Sequence, residues 1–396
     1  MSHDAIVIGA GPSGSTAARL LARRGASVLL LDRARFPRDK PCGGGVTIRA
    51  AAYLDLDLGP VSERTIYGAR FSLRLGPTFD RWHRQPLTYM TQRCRLDAYL
   101  AEAACESGAD FRDGMTVREV EVDNGQVTVR SNGDAYTARA LVAADGANGI
   151  GRRGSGLRPQ VEEAVALEGN IRFSPDIPSQ WQELLALDLG ALAGGYGWVF
   201  PKSDHLNLGV GAWKYAASTL RPKLAHLCRR YGFDGAELEN LRGHHLPIRI
   251  SGTPVARGPT LAVGDAAGLS DPLSGEGIHM AFLSARLAAD AIIGYLAGET
   301  ADLSPYQRAV ERHLQTELTA ARKLQELFHF APPPYVAMLR HSRRFWQAFC
   351  CLIRGELTYR GFLARVGPLR PLLVHFAGVA QRRRVSKVAR LTSTLD

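Results

Sequence analysis

The segment RDKPCGGG, residues 38–45, sets Cys42 between a proline and three glycines. A free thiol has a pKa of about 8.5, so it carries its proton at neutral pH and suits a proton donor. Pro41 stiffens the entry to the loop, and the glycines strip it of side chains, which leaves its backbone open to close approach. A cysteine buried for packing needs no such opening. A second chemical signature lies upstream, where Gly9-x-Gly11-x-x-Gly14 is followed by Asp32. Glycines at this spacing allow a tight turn and close approach to a pyrophosphate, whose charge would face the free N–H groups at a helix start. Asp32 would accept hydrogen bonds from the ribose of an adenosine; its bland alternative is a residue that turns the chain at a strand end.

The elements around these residues read as alternating strand and helix. Residues 4–9, DAIVIG, are apolar and β-branched, the helical pattern from Ser13 to Arg24 stops at Gly25, and SVLLLD (27–32) is a second strand. Strand, glycine turn, helix, strand and acid in that order form a βαβ unit of about 30 residues. Strand-like runs at 65–75 and 88–92 precede a helix from Arg93 to Glu106. The stretch 110–145 is β-rich, with DNG (123–125) and SNG (131–133) as hairpin turns, and closes on the pair Asp145-Gly146. From about 160 to 250, longer strands with polar alternation, interrupted by a helix over 219–232, predict a separate antiparallel sheet. Strand, Gly-rich loop and helix return at PTLAVGDAAGLSDPLSGEGIHMAF, so the nucleotide domain is discontinuous. The expected class is α/β: a Rossmann-like nucleotide domain over 1–155 and 256–300, a β-sheet substrate domain over 156–255, and a helical, basic region over 301–396.

Gly9-x-Gly11-x-x-Gly14, Asp145-Gly146 and Gly264-Asp265, in this order, resemble the FAD-dependent enzymes of the aromatic (p-hydroxybenzoate) hydroxylase fold. Within that superfamily, RDKPCGGG (38–45), YGWVFPK (196–202) and GDAAGLSDPLSGEGI (264–278) are similar to the geranylgeranyl reductase family, which saturates isoprenoid double bonds. The resemblance implies FAD, held by Gly9, Gly11, Ser13, Gly14, Asp32, Gly43, Gly44, Arg93, Val117, Asp145, Gly146, Gly264, Asp265, Gly277 and Ile278. Arg95 neighbours Arg93 without matching the motif. Asp265 would reach the ribityl chain or pyrophosphate, and the N–H groups near Gly277 and Ile278 would face the flavin edge that gains negative charge on reduction. The open glycines at 43 and 44 would let a flavin ring or a substrate chain approach the loop. The electron donor implied is NADPH or a reduced ferredoxin- or flavodoxin-type protein, and Asp145-Gly146, linked in hydroxylases to both FAD and pyridine nucleotide, does not choose between them.

The resemblance also puts Cys42 at the active site. An isolated alkene has no carbonyl to take up negative charge, so hydride addition must be coupled to proton delivery, from Cys42 or from a water it positions. On a strand, Tyr196 and Trp198 share one face and Phe200 extends it, an aromatic wall that suits a long apolar chain, with Lys202 near the flavin or a polar head. The alternative is a sheet core that packs on the nucleotide domain. His244 and His245 are neighbours on extended chain and point opposite ways, so a turn or surface role is expected of them. His279, at the start of a helix, fits packing as well as catalysis.

Composition bounds the rest. Of 396 residues, 45% are hydrophobic and 22% charged, which excludes a disordered chain. No apolar run reaches the roughly 20 residues needed to cross a bilayer, and the opening MSHDAIVIGAG runs directly into a strand, so a cytoplasmic location is expected. Six cysteines without C-x-x-C pairs argue against disulfides and against a metal site. The net charge is +11, and residues 336–396 hold 12 Lys/Arg against Glu356 and Asp396. Two readings stand for that region: a helical surface in peripheral contact with an anionic membrane, or a helical layer over the core with solvated arginines. No nucleic-acid motif accompanies the charge, and the oligomeric state is left open. The function expected is FAD-dependent reduction of a prenyl chain on a lipid, quinone or pigment precursor. An aromatic hydroxylase-type monooxygenase and a non-catalytic, flavin-containing lipid-binding protein are its rivals.

Overall fold

The computed structural model describes residues 2–158, 160–365 and 378–382. In its first sheet the strand Ser2–Ile8 lies between Val28–Leu31 and Asp134–Ala143, both parallel to it, and Thr260–Ala262 continues parallel beyond the latter. The register sets Ile8 opposite both Leu31 and Ala143, and Ala143 opposite Ala262. Four strands therefore end on one line. Just past it stand Gly9, Asp32, Asp145 and Gly264, at the carboxyl edge where open parallel sheets bind nucleotides. Motifs scattered over the sequence become a single edge.

Small residues hold that edge together. The helices Pro12–Ala22 and Ile278–Leu296 pack against each other and the sheet through Ala17, Ala18, Ala285, Ala288 and Ala289, all fully buried, and such side chains let helices approach closely. The opposite face is covered by the hairpin strands Val117–Asp123 and Gln126–Ser131, whose Val120, Val127 and Val129 meet Ile6, Ile8, Leu29 and Leu31. The hairpin turns have left-handed residues, Asn124 at φ 47° and Gly125 at 78°, then Asn132 at 52° and Gly133 at 93°. Asn-Gly is the pair that such two-residue turns favour.

The second sheet has seven strands in the order Glu239–Arg249, Val161–Arg172, His205–Trp213, Gly195–Pro201, Leu184–Leu192, Gly68–Leu73 and Phe79–Trp82. All pair antiparallel except Leu184–Leu192 with Gly68–Leu73. The hairpin over 68–82 thus leaves the stretch 1–155 and completes the second sheet. Alternation shows a strand there, but nothing local says which sheet it joins.

Helices Pro332–His341 and Arg343–Arg354 lie on this sheet, with Val336, Leu339, Trp346 and Cys350 against Ala69, Phe71 and Leu189. Phe71 is fully buried, its ring edge-on to both Trp346 and Phe349. Truncating such a residue costs about 3–5 kcal/mol. The apolar face of Arg343–Arg354 therefore covers the protein's own sheet. No helix of the described residues is long and apolar enough to cross a membrane. The sequence reading of membrane contact over 336–396 falls in part on 366–377 and 383–396, which lie outside the described residues.

Candidate active site

The glycines of the nucleotide edge are dictated by backbone crowding. A Cβ on Gly14 would lie 1.7 Å from the Gly9 carbonyl oxygen, and one on Gly9, at φ 102°, would lie 2.5 Å from that of Ala144. Pro12, which has no N–H to lose, opens the helix. Ser15 N–H makes the bond back to Gly11 at 3.0 Å, so the amides just before it have no intrahelical acceptor. Above Gly11 the nearest atoms to a Cβ would be guanidinium nitrogens of Arg38, at 3.6 Å, and Arg93, at 3.8 Å. Cations and free amides together make a cradle for a pyrophosphate.

Arg93 is buried and grips Asp97 with two bonds of 2.7 Å, while Arg38 reaches the same carboxylate at 2.6 Å. Burial works against the Arg93 charge, but Asp97 outweighs it and holds its pKa above the ordinary arginine value. Arg95 instead turns outward to Glu63, as a neighbour without a motif role would. Asp32 accepts from Ala10 N–H at 2.8 Å and Ala34 N–H at 2.9 Å, tying the glycine turn to its own strand end. Val117 is buried in the cluster that includes Leu31, and the adjoining Met115 N–H donates to the Asp32 carbonyl at 2.7 Å. Asp32 thus ties together the glycine turn, its own strand end and the segment before Val117.

Asp145 turns back on its own segment. One oxygen accepts from Gly151 N–H at 2.7 Å, the other is buried with no hydrogen-bond partner among the described residues, and burial raises its pKa. Gly146 supplies the left-handed φ of 79° beside it. Asp265 has more company: Lys40 at 3.3 Å, His244 at 3.7 Å and the Ser270 hydroxyl at 3.4 Å. Burial pushes its pKa up, yet Lys40 and His244 together hold it well below the usual carboxylate range. A Cβ on Gly264 would press on the Ser13 hydroxyl at 2.9 Å, and one on Gly277 would sit 3.3 Å from Asp265. Ser13, Gly264, Asp265, Gly277 and Ile278 therefore form one group.

The histidine expectation needs correcting in part. His244 lies in the strand Glu239–Arg249 and not in a turn, and it faces Asp265. The His279 ring is tilted against Tyr53, 5.3 Å between centroids, and burial next to Arg49 pushes its pKa down to about 3.

Around Cys42 side chains replace bare backbone. The Cys42 N–H donates to Glu168 at 2.6 Å, Lys202 donates to the Gly43 carbonyl at 2.6 Å, and the Gly44 N–H points to the Cys42 sulfur at 3.4 Å. In the Cβ direction both Gly43 and Gly44 are already closely packed. A Cβ on Gly43 would lie 2.8 Å from the Phe200 ring, and one on Gly44, at φ 67°, would lie 2.0 Å from the Thr91 carbonyl oxygen. Gly43 lets the loop sit down on the second sheet, and Gly44 lets it pass close to the backbone that follows Met90.

Tyr196, Trp198 and Phe200 do share a face, with successive ring centroids 6.0 and 6.1 Å apart. They act as a spine between two loops rather than a bare wall. Phe200 seats Gly43, Trp198 is enclosed and donates to Asn207 at 2.8 Å, and the Tyr196 hydroxyl donates to the Ser274 carbonyl at 2.5 Å. From the other side Glu276 accepts from Thr47 and from Arg49, each at 2.7 Å. The cysteine loop and the SGEG loop are thereby clamped together.

Beside Cys42 is a cavity of about 50 Å³ whose lining includes Glu168, Lys202, Asn170 and Asn207. Burial raises the Glu168 pKa to about 7, against the pull of the Cys42 N–H and of Lys202. Burial lowers Lys202 to about 8, against the pull of Cys42, Glu63 and Glu168. Two ionisable groups poised near neutrality flank one thiol. Glu168, Arg38, Lys40 and Asp97 were not among the site residues expected from the sequence. Arg38 and Lys40 stood inside the quoted RDKPCGGG, and Asp97 closed R-x-x-L-D, but Glu168 has no local mark.

Over residues 2–189 the chain matches the family described as FAD binding domain. It is 34% identical over 317 residues to the menaquinone reductase of Mycobacterium tuberculosis, covering 73% of this chain and 76% of that protein. It is 30% identical over 352 residues to the chloroplastic geranylgeranyl diphosphate reductase of Oryza sativa subsp. japonica, covering 82% and 74%. Among solved structures, a geranylgeranyl bacteriochlorophyll reductase-like protein from Thermoplasma acidophilum shares the fold with a TM-score of 0.73 at 24% identity, over 83% of this chain and 88% of that one.

Proposed function

The chain belongs to the geranylgeranyl reductase family of FAD-dependent oxidoreductases, and from that footing we propose that it saturates carbon–carbon double bonds in a prenyl chain borne by a lipid, quinone or pigment precursor. The observation that carries the reading is the clamp. One aromatic spine joins the Cys42 loop to the SGEG loop, and the SGEG loop opens the helix at the nucleotide edge.

FAD fits the residues present. Gly9 and Gly14 leave a cradle that a Cβ would fill, Arg38 and Arg93 supply cations above Gly11, and Asp32 marks the adenosine end. Ser13, Gly264, Asp265, Gly277 and Ile278 would hold the ribityl and ring end, where the helix start offers N–H groups to negative charge. Reduced FAD supplies hydride. The chain supplies the rest: Cys42 gives its S–H proton to the second alkene carbon, so that charge never builds on an unactivated hydrocarbon. Tyr196 and Phe200 offer apolar surface beside the loop, and the cluster that Tyr196 shares with Leu187, Phe345 and Phe349 continues it away from the thiol, suiting an isoprenoid tail.

The test is anaerobic. Reduced protein is incubated with prenyl diphosphates, prenylated glycerolipids and prenyl quinones, and products are read by mass spectrometry. A gain of two hydrogens per reduced bond, without O₂, is the expected result. Activity that requires O₂ and adds oxygen would replace this reading with the monooxygenase. A Cys42→Ser variant that keeps FAD and full turnover would remove the donor assignment.

A further inference from the structure

We propose that Glu168 is the acid that returns a proton to Cys42 after each reduction, passing it through the cavity that the carboxyl and the thiol line together beneath the loop. The inference rests on Cys42 as proton donor, as proposed above. Cys42 and Glu168 lie far apart in sequence, yet a Glu168 oxygen is held 2.6 Å from the Cys42 backbone nitrogen, so the carboxyl is fixed relative to the residue that carries the sulfur. The cavity, at about 50 Å³, exceeds the roughly 10–15 Å³ that one water needs, and Asn170 and Asn207 add polar partners.

The other charged groups lining it are held by partners of their own: Asp39 by Arg242, Lys40 by Asp265, Arg93 by Asp97 and His205 by Asp204. Glu168 and Lys202 have no ion-pair partner within 4 Å among the described residues. Burial brings the carboxyl to about 7, so at neutral pH a large share of it carries the proton to be given. Lys202, which donates to the Gly43 carbonyl, keeps a cation beside the loop while the sulfur is negative.

The step balances. The Cys42 S–H bond breaks as the C–H bond forms on the alkene, leaving a thiolate. The Glu168 O–H bond then breaks and a proton reaches sulfur through one water, leaving a carboxylate that is reloaded from solvent. No oxidant or reductant enters the relay; the hydride belongs to the flavin step.

Glu168→Gln keeps an acceptor for the Cys42 N–H but cannot carry the proton. With FAD retained, the first turnover of pre-reduced protein should proceed near the wild-type rate, while multiple turnover falls at least tenfold and loses the limb that declines as pH rises through about 7. Glu168→Asp, which restores a carboxyl, should recover part of the rate and the limb. Independently of turnover, iodoacetamide labelling of Cys42, followed on its own peptide by mass spectrometry, should show a pH dependence near 7 in wild type that Glu168→Gln lacks. Wild-type multiple turnover with an unchanged pH profile in Glu168→Gln would overturn the relay, as would labelling that is identical in the two proteins. Full turnover in Cys42→Ser, with the labelling difference intact in proteins that keep Cys42, would instead remove the donor reading and leave only the electrostatic link.

Discussion

The nucleotide edge and the Cys42 cavity are built in opposite ways. At the edge the constraint is backbone against backbone, and the chain answers with missing side chains at Gly9 and Gly14. At the cavity the constraint is chemical, and the answer is side chains drawn from distant segments: Cys42 from a loop, Glu168 and Asn207 from two strands, Lys202 from the end of a third. A backbone constraint is local, so it appears in sequence as glycines at fixed spacing. A side-chain constellation exists only after the second sheet has formed.

The largest effect should come from putting a side chain into the edge. In Gly14→Ala the new carbon meets a carbonyl oxygen at 1.7 Å, and backbone cannot rotate aside. The expected cost is on the order of 5 kcal/mol, with FAD lost on purification and the flavin absorbance gone. Gly43→Ala meets side chains and not backbone, the Phe200 ring at 2.8 Å and the Trp198 indole nitrogen at 3.3 Å, and side chains can shift. It should keep FAD and lose turnover. Loss of FAD in both variants would erase the division between the two regions.

Next is Asp97, which holds the guanidinium groups of both Arg93 and Arg38 in a buried place. Asp97→Ala leaves two cations near each other without their shared anion. Breaking a buried ion pair from one side costs about 3–5 kcal/mol, to be read as a denaturant midpoint shift at constant slope. Added FAD should recover part of that loss, because its phosphates would replace the carboxylate over Gly11. Equal loss with and without FAD would take the two arginines out of the cradle.

These residues also show how far the sequence could be read. The βαβ unit, the helix Arg93–Glu106 and the Asn-Gly hairpins were legible because helix period, strand alternation and turn chemistry are local properties. The pairing of Gly68–Leu73 with Leu184–Leu192 was not, since register across more than a hundred residues leaves no local sign. Cys42 is marked in the sequence by its glycines, of which Gly43 packs on the Phe200 ring and Gly44 on the Thr91 carbonyl. Glu168 was not, because in VEEAVALEGNIR it is one of three acids on a long strand. Only the partner across the fold makes it different from Glu162 or Glu163.

A smaller effect tests that difference through pH. The folded-state pKa of Glu168, about 7, lies above its ordinary 4.5, so between those values the folded protein keeps a proton that the unfolded chain has lost. Folding is therefore disfavoured progressively as pH rises through that window, and the penalty is complete above about 7. Glu168→Gln removes the titration. The variant should gain on wild type between pH 5 and pH 8 by about 3 kcal/mol at most, since each tenfold change in proton affinity is worth about 1.4 kcal/mol. Parallel stability profiles for the two proteins would mean that the carboxyl is solvated and that the cavity resembles ordinary surface.

The smallest effect separates two arginines that the sequence sets side by side. Residues two apart on a helix do not share a face, so Arg93 turns to the buried Asp97 while Arg95 turns outward, its side chain 47% exposed, to Glu63 at 3.1 Å. The Glu63 side chain is fully buried, and when Arg95 is removed it keeps the neutral donors Gln92 and Ser203 but loses its cation. Arg95→Ala should then cost about 1.5–3 kcal/mol in thermal unfolding, the worth of a hydrogen bond to a charged group, and leave FAD retention unchanged. Arg93→Ala in the same assay should release FAD, because the cation above Gly11 has gone. If Arg95→Ala released FAD to the same extent, the cradle would extend to the outer face of this helix, and the edge would no longer be a structure that the backbone defines.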